Sequence, residues 1–305
     1  MEYAEFLEQV RLTVQEKAGG EVKVSISRLM KNNREGMDSI TIRQVSEGNI
    51  APVICMDQYY ETYRAGKTVD EIAEEILEFY REKKTCKSID LSFYTDFEKA
   101  RELISCKIVN YEKNRYLLDR VPHQRFLDLA IVYYCEIEHE WIGKGNILVQ
   151  NAHLELWDTD LEELHDTALC NTIRLHPYEL IEITDMLEEL IGVPFEDEEA
   201  SFPMYVLTNT QRYYGAVNLI FPPILEAIAE KLVNDFFLLP SSIHECMVVP
   251  FSEKILPEDL HRMVHEINAE HVMPDEVLGE SVYRYTREEK QLVVVWDGRQ
   301  SKDPS

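Results

Sequence analysis

Three times along this chain, strand-like material runs into an amphipathic helix whose first turn is chemically marked, at Thr68, Thr159 and Pro257. In Thr68-Val69-Asp70-Glu71 and Thr159-Asp160-Leu161-Glu162 a threonine stands three residues before a glutamate. That is the capping-box pattern, in which two side chains satisfy amides that a helix start leaves unpaired. Pro257 suits a first helical position, where its missing N–H is no loss. Behind each opening, apolar residues recur at helical spacing: Ile72, Ile76 and Leu77, then Leu161, Leu164 and Ala168, then Leu260, Val264 and Ile267. Each stripe has to be buried against something, and the preceding strands supply the surface. The pattern predicts an α+β fold of mixed sheets covered by amphipathic helices, in two or three αββα-like lobes: an N-terminal lobe over 1–87, a middle lobe over 88–195 and a C-terminal lobe over 196–305. The residues of the three stretches barely match, so the recurrence is one of layout.

The segments between these openings fill in the rest. Phe6, Leu7, Val10 and Val14 predict a first helix ended by Gly19-Gly20. Val22, Val24 and Ile26, and then Ile40, Ile42 and Val45, read as half-buried strands, with a further apolar stretch at 52–56. In the middle segment the spacing predicts a helix over 97–109 and the beginning of a strand at 116–118. A central strand is expected over 126–137, apolar on both faces and so covered on both sides. Residues 147–157 fit a strand, or a strand followed by a helical turn. The Pro- and acid-rich run 193–203 reads as a linker. Beyond it, strands are expected at 204–207 and 213–220, a helix from Pro222 to about Val233, strand segments at 236–239 and 243–249, and a hairpin made of 282–285 and 291–296.

Of the 305 residues, 45% are hydrophobic and 29% charged, a balance that supports a real core. Acidic residues outnumber basic ones 57 to 31, for a formal charge of −26. Such a surface repels polyanions, which argues against non-specific binding to nucleic acid or to an anionic membrane. The six cysteines form no Cys-x-x-Cys pair, so neither a zinc framework nor a disulfide scaffold is expected. The N-terminus lacks the basic start and apolar run of a signal peptide, and no stretch is long enough to span a bilayer, which makes the cytoplasm the expected location. No glycine-rich phosphate loop is present and no cofactor is predicted.

Chemistry concentrates in the run from Leu239 through Pro240, Ser241, Ser242, Ile243 and His244 to Glu245. One reading makes Ser241 or Ser242 a nucleophile, His244 its base and Glu245 the orienter. Strand alternation would then put Ser242 and His244 on one face and Glu245 on the other, and no Gly-x-Ser-x-Gly elbow exposes a serine. The other reading is a Pro-Ser turn whose hydroxyls bond local backbone. His123, Asp128, Asn171 and Arg174 are candidate binding residues converging from the middle segment. His261 and His265 share a helix face at metal-ligand spacing, but Arg262 stands where a zinc protease needs a glutamate, and no metal is predicted.

Several runs carry a family resemblance across nearly the whole chain: Val121-Pro122-His123, Phe126 to Tyr134, His153-Leu154-Glu155-Leu156-Trp157, Asn171 to Pro177, Leu239 to Glu245, and Val277 to Tyr285. They resemble an uncharacterised bacterial family, domain-of-unknown-function family 5688. The later half also resembles, in layout, the uncharacterised YtpQ-like family. One departure is His176, where an aromatic residue is expected before Pro177. The resemblance implies a bacterial protein and no particular activity.

A well-patterned chain without an assembled reactive motif points first to a non-catalytic cytoplasmic binding or adaptor protein, working through a groove for a protein or peptide. The alternative is a hydrolase with a dispersed active site around Ser242 and His244. A third reading is an acidic mimic of nucleic acid, which would need a contiguous acidic stripe.

Overall fold

The computed structural model describes residues 1–20, 22–44, 51–83, 92–140, 143–191 and 203–298. They form helices and three antiparallel sheets, an α+β fold, in two compact units, Met1–Ser92 and Phe93–Ser305. The second unit holds both of the later lobes expected from the sequence. The expected linker at 193–203 lies, but for Pro203, outside the described residues.

In the first unit, helix α1 (Tyr3–Ala18) precedes strands β1 (Val22–Lys31), β2 (Arg34–Gln44) and β3 (Val53–Cys55), paired in that order. Helices α2 (Asp57–Arg64) and α3 (Val69–Lys83) follow. The strand alternation delivers Val24, Ile40, Ile42 and Ile54 to one side, where they meet Phe6, Val10 and Val14 of α1 and Ile72, Ile76 and Leu77 of α3. The capping box at Thr68 forms: Glu71 accepts from the Thr68 amide at 2.9 Å, and the Glu71 amide donates to Thr68 Oγ1 at 3.3 Å.

The second unit opens with α4 (Phe97–Ala100), one 3-10 turn over Arg101–Leu103, and strand β4 (Ile104–Asn110). The helix expected over 97–109 therefore stops early. The spacing of Phe97 and Ala100 gives way to an alternation of buried Ile104, Cys106 and Ile108, and a strand takes over. Asn171 captures the changeover, its side-chain amide donating to the Arg101 and Ile104 carbonyls at 2.7 and 2.8 Å. The strand expected to begin at 116 is also corrected, to a short helix α5 (Arg115–Leu118). Asn114 closes the preceding turn on the Asn110 carbonyl at 2.8 Å, and Leu117 and Leu118 are buried as neighbours.

Strands β5 (His123–Phe126), β6 (Leu129–His139) and β7 (Gly143–Leu148) complete a four-stranded sheet, followed by α6 (Asn151–Trp157) and α7 (Leu161–Leu175). The cap of α7 sits one residue later than expected: Asp160 accepts from the Glu163 amide at 2.9 Å. Leu164 and Ala168 of α7 pack on Cys106, Ile131 and Tyr133. Strand β4 accompanies β6 from Leu129 only as far as Cys135, whereas β7 continues along its other side to His139. Among the described residues, the stretch Glu136–Glu138 thus has a strand on one side alone.

A six-stranded sheet follows, in the order β13-β12-β10-β11-β9-β8. Its strands are β8 (Tyr178–Glu182), β9 (Tyr205–Asn209), β10 (Phe236–Leu239), β11 (Cys246–Pro250), β12 (Val282–Thr286) and β13 (Gln291–Trp296). Helix α8 (Ile183–Ile191) follows β8, and α9 (Pro222–Leu232) and α10 (Pro257–Glu270) cover opposite faces of the sheet. Phe236 and Leu238 meet Ile224, Leu225 and Ile228 of α9, while Phe237 and Leu239 meet Leu260 and Val264 of α10. The strand expected over 213–220 is instead a 3-10 turn, Gly215–Ile220, all six of whose residues are buried. Burial on every side is what made that run look like a covered strand. Among the described residues, no helix is long and apolar enough to cross a membrane.

Candidate functional site

Where β4 gives out, a cleft of about 920 Å³ opens along Glu136, Ile137 and Glu138 of β6. Lys144 and Asn146 of β7 form one wall; Glu102, Leu103 and the end of α7 at Leu175 and His176 form another. The third wall is the turn that carries Gln211, Tyr213 and Tyr214.

That turn is built by two buried asparagines. Asn209 Oδ1 accepts from the Gln211 and Tyr213 amides at 3.1 and 3.2 Å, and its Nδ2 donates to the Tyr213 carbonyl at 2.8 Å. Asn218 Nδ2 donates to the carbonyls of Thr208 and Gly215. Arg212 and Tyr214 take positive φ angles of 51° and 55°, conformations that side-chain-bearing residues adopt only where surrounding contacts hold them. The result is a tyrosine cluster. Tyr213 and Tyr214 lie with ring centroids 4.0 Å apart, and Tyr134 meets Tyr214 edge-on at 5.4 Å. Tyr213 keeps 45% of its surface exposed.

Behind the cluster sits Lys107 of β4. Its Nζ donates to the Tyr214 hydroxyl at 2.9 Å and stands 4.1 Å from the ring centroid. Burial lowers its pKa to about 8, because an ammonium in this apolar setting is poorly solvated. Across the cleft, His176 Nε2 hydrogen-bonds Glu136 Oε1. Burial alone would push the Glu136 carboxyl up, but the bond to His176 and the nearby Lys144 hold it below the usual carboxylate range.

The run 239–245 connects β10 to β11 and reaches the cleft from behind. Ser241 and Ser242 are buried, at 5% and 8% exposure. Ser242 Oγ accepts from the His244 amide at 3.1 Å, the local serine turn of the second sequence reading. The His244 ring lies parallel to Tyr214, with centroids 5.7 Å apart. Its Nδ1 accepts from the Tyr214 amide at 3.2 Å, which assigns the ring proton to Nε2, 3.5 Å from Glu276 Oε1. Glu276, not its chain neighbour Glu245, is the carboxylate that faces His244.

The other sequence candidates are dispersed. His123 Nδ1 contacts the Val121 carbonyl at 3.1 Å. Asp128 accepts from Ser281 Oγ at 2.7 Å and from the Tyr283 hydroxyl, tying the β5–β6 turn to β12. Asn171 and Arg174 bond one another at 3.0 Å, and Arg174 reaches Glu102 at the cleft rim at 3.6 Å. His261 and His265 both turn to Glu280, at its carbonyl and its carboxylate. Among the described residues, no three His, Cys, Asp or Glu side chains gather as metal ligands. Buried Cys106 and Cys135 have thiols pushed up to about 12 by desolvation, which makes them poor nucleophiles.

Sequence reasoning missed Lys107, Glu136, Tyr134 and Tyr213 as one group, because they come from separate elements. One signal was available: Lys107 is the lone charge in the run Ile104-Ser105-Cys106-Lys107-Ile108-Val109, and a charge inside a buried strand needs a reason. No curated protein and no solved structure matches the chain. A family model matches residues 3–287, and the chain belongs to that family of unknown function, DUF5688.

Proposed function

We propose that this is a peptide-binding protein that takes an extended segment into the tyrosine-walled cleft. The observation that carries the reading is the unequal reach of β4 and β7 along β6: among the described residues, Glu136–Glu138 has a strand on one side only, and the cleft lies along that stretch. Main-chain pairing with an unpaired strand edge is a standard way to hold a peptide, with alternate side chains entering flanking pockets. Tyr213, half exposed and anchored through its backbone, supplies a rigid amphipathic surface of the kind that dominates binding energy.

The test is to pan a random linear hexapeptide library against the protein. Recovered peptides are expected to lose at least about tenfold in affinity to Tyr213→Ala, the scale of losing one aromatic anchor. They are also expected to lose binding when alternate backbone amides are N-methylated. Peptides that bind Tyr213→Ala as well as the parent protein, and tolerate methylation, would sink the reading.

The hydrolase alternative rests on His244 and its carboxylate partner Glu276 beside the cleft. It would require His244 Nδ1 to release the Tyr214 amide, and Ser242 to turn its hydroxyl from the His244 backbone to the ring. Loss of an esterase activity in Ser242→Ala protein would favour that reading over the first.

A further inference from the structure

Building on the peptide-binding reading, we infer that the cleft selects a peptide carrying a basic side chain, arginine above all. Three features bear on the choice. The lining residues carry Glu102, Glu136 and Glu138 against one lysine, Lys144, so the lining is acidic on balance; Arg174 answers Glu102 at the rim, which leaves Glu136 and Glu138 as the acids nearest a strand laid in the cleft. Glu136 is held ionised by its bond to His176 and has a fixed orientation, which makes it a pre-set acceptor rather than a mobile surface acid. The tyrosine wall presents ring faces, which attract cations through their quadrupole. The protein already exploits that attraction internally, with Lys107 Nζ 4.1 Å from the Tyr214 ring centroid.

Geometry explains why arginine fits better than lysine. A strand laid along Glu136–Glu138 sends every second side chain toward one face of the sheet. On β6 that face carries Glu136 and Glu138, two residues apart, with Tyr134 next in line. A guanidinium can bond a carboxylate bidentately through its planar fork while stacking flat on a tyrosine, whereas an ammonium offers only a point charge. A carboxylate-bearing side chain in the same place would face Glu136 and Glu138 at short range.

The experiment uses fluorescein-labelled Gly-Val-Arg-Val-Arg-Gly and two relatives, with both arginines replaced by citrulline, its neutral isostere, or by glutamate. Anisotropy titrations are run against the full chain. The arginine peptide is expected to bind at least about tenfold tighter than the citrulline peptide, the scale of one charge-assisted contact. The glutamate peptide is expected not to bind. Glu138→Gln, which keeps the shape of the side chain, should lower the affinity for the arginine peptide, while Glu258→Gln on α10 should leave it unchanged. Circular dichroism confirms that both variants are folded. Equal binding of the arginine and citrulline peptides, lost in Tyr213→Ala, would overturn the preference for a cation and leave the peptide cleft standing. Equal weakening by Glu138→Gln and Glu258→Gln would also overturn it, by reducing the effect to general attraction toward a chain of formal charge −26. Binding of none of the three peptides would count against both the cation preference and the peptide cleft.

Discussion

Lys107 is a charged residue held in an environment that resists its charge. An amine that ordinarily stays protonated to pH 10.5 is brought to about 8 by burial, with a tyrosine hydroxyl in place of a carboxylate as its hydrogen-bond partner. Below pH 8 the lysine is charged whether the chain is folded or not, and the fold bears the full cost of burying that charge. Between pH 8 and 10.5 the folded state has shed the proton that the unfolded state still holds, so stability rises with pH in that window. Lys107→Met keeps the bulk of the side chain without the charge. It is expected to be more stable than the parent at pH 7, by up to about 3 kcal/mol, and to lose that advantage as the pH approaches 10.5. Urea unfolding at both pH values measures the gap, and a gap independent of pH would show that the amine is not what the fold is resisting.

At the scale of elements, the turn from Asn209 to Ile220 decides the shape of the cleft, and Gly215 is its tightest point. A Cβ there would stand 2.5 Å from Thr208 Oγ1 and 2.7 Å from both the Asn209 nitrogen and the His244 carbonyl. Two of these three are backbone atoms of β9 and of the chain entering β11, which cannot swing aside. Gly215→Ala is therefore expected to cost about 2–3 kcal/mol and to weaken the near-UV circular dichroism of the tyrosine cluster. A variant with unchanged stability and spectrum would show that the turn yields more easily than its contacts suggest. The same turn marks the limit of what the sequence makes legible. Helices α1, α3, α9 and α10 could be read directly, since caps, prolines and 3.6-residue spacing are local signals. The strand pairs could be read from alternation, including the final hairpin. The runs at 116–118 and 213–220 could not, because aromatic and branched residues buried on all sides look alike whether they are extended or coiled. Their conformations are set by Asn114, Asn209 and Asn218, whose side chains bond to backbone that propensity does not describe. The cleft was illegible for a further reason: it exists because two neighbouring strands end at different places, and strand ends are fixed by pairing across the chain.

The whole molecule divides unevenly. Met1–Ser92 has its own core, in which α1 and α3 close over one face of a three-stranded sheet. Residues 1–92 alone are expected to unfold cooperatively in urea and to give a dispersed amide NMR spectrum; a collapsed spectrum would show that this core needs the rest of the chain. The second unit, Phe93–Ser305, has no such early closure. Its four-stranded sheet is assembled from residues 104–148, yet the turn entering β6 places Asp128 against Tyr283, 155 residues further on. On the ribosome this contact cannot form until β12 has left the exit tunnel. The carboxylate of Asp128 must wait in water, and the middle sheet with it, so the second unit completes its fold only after β12 has been made, whereas the first has the core described for it in hand once Tyr80 has emerged.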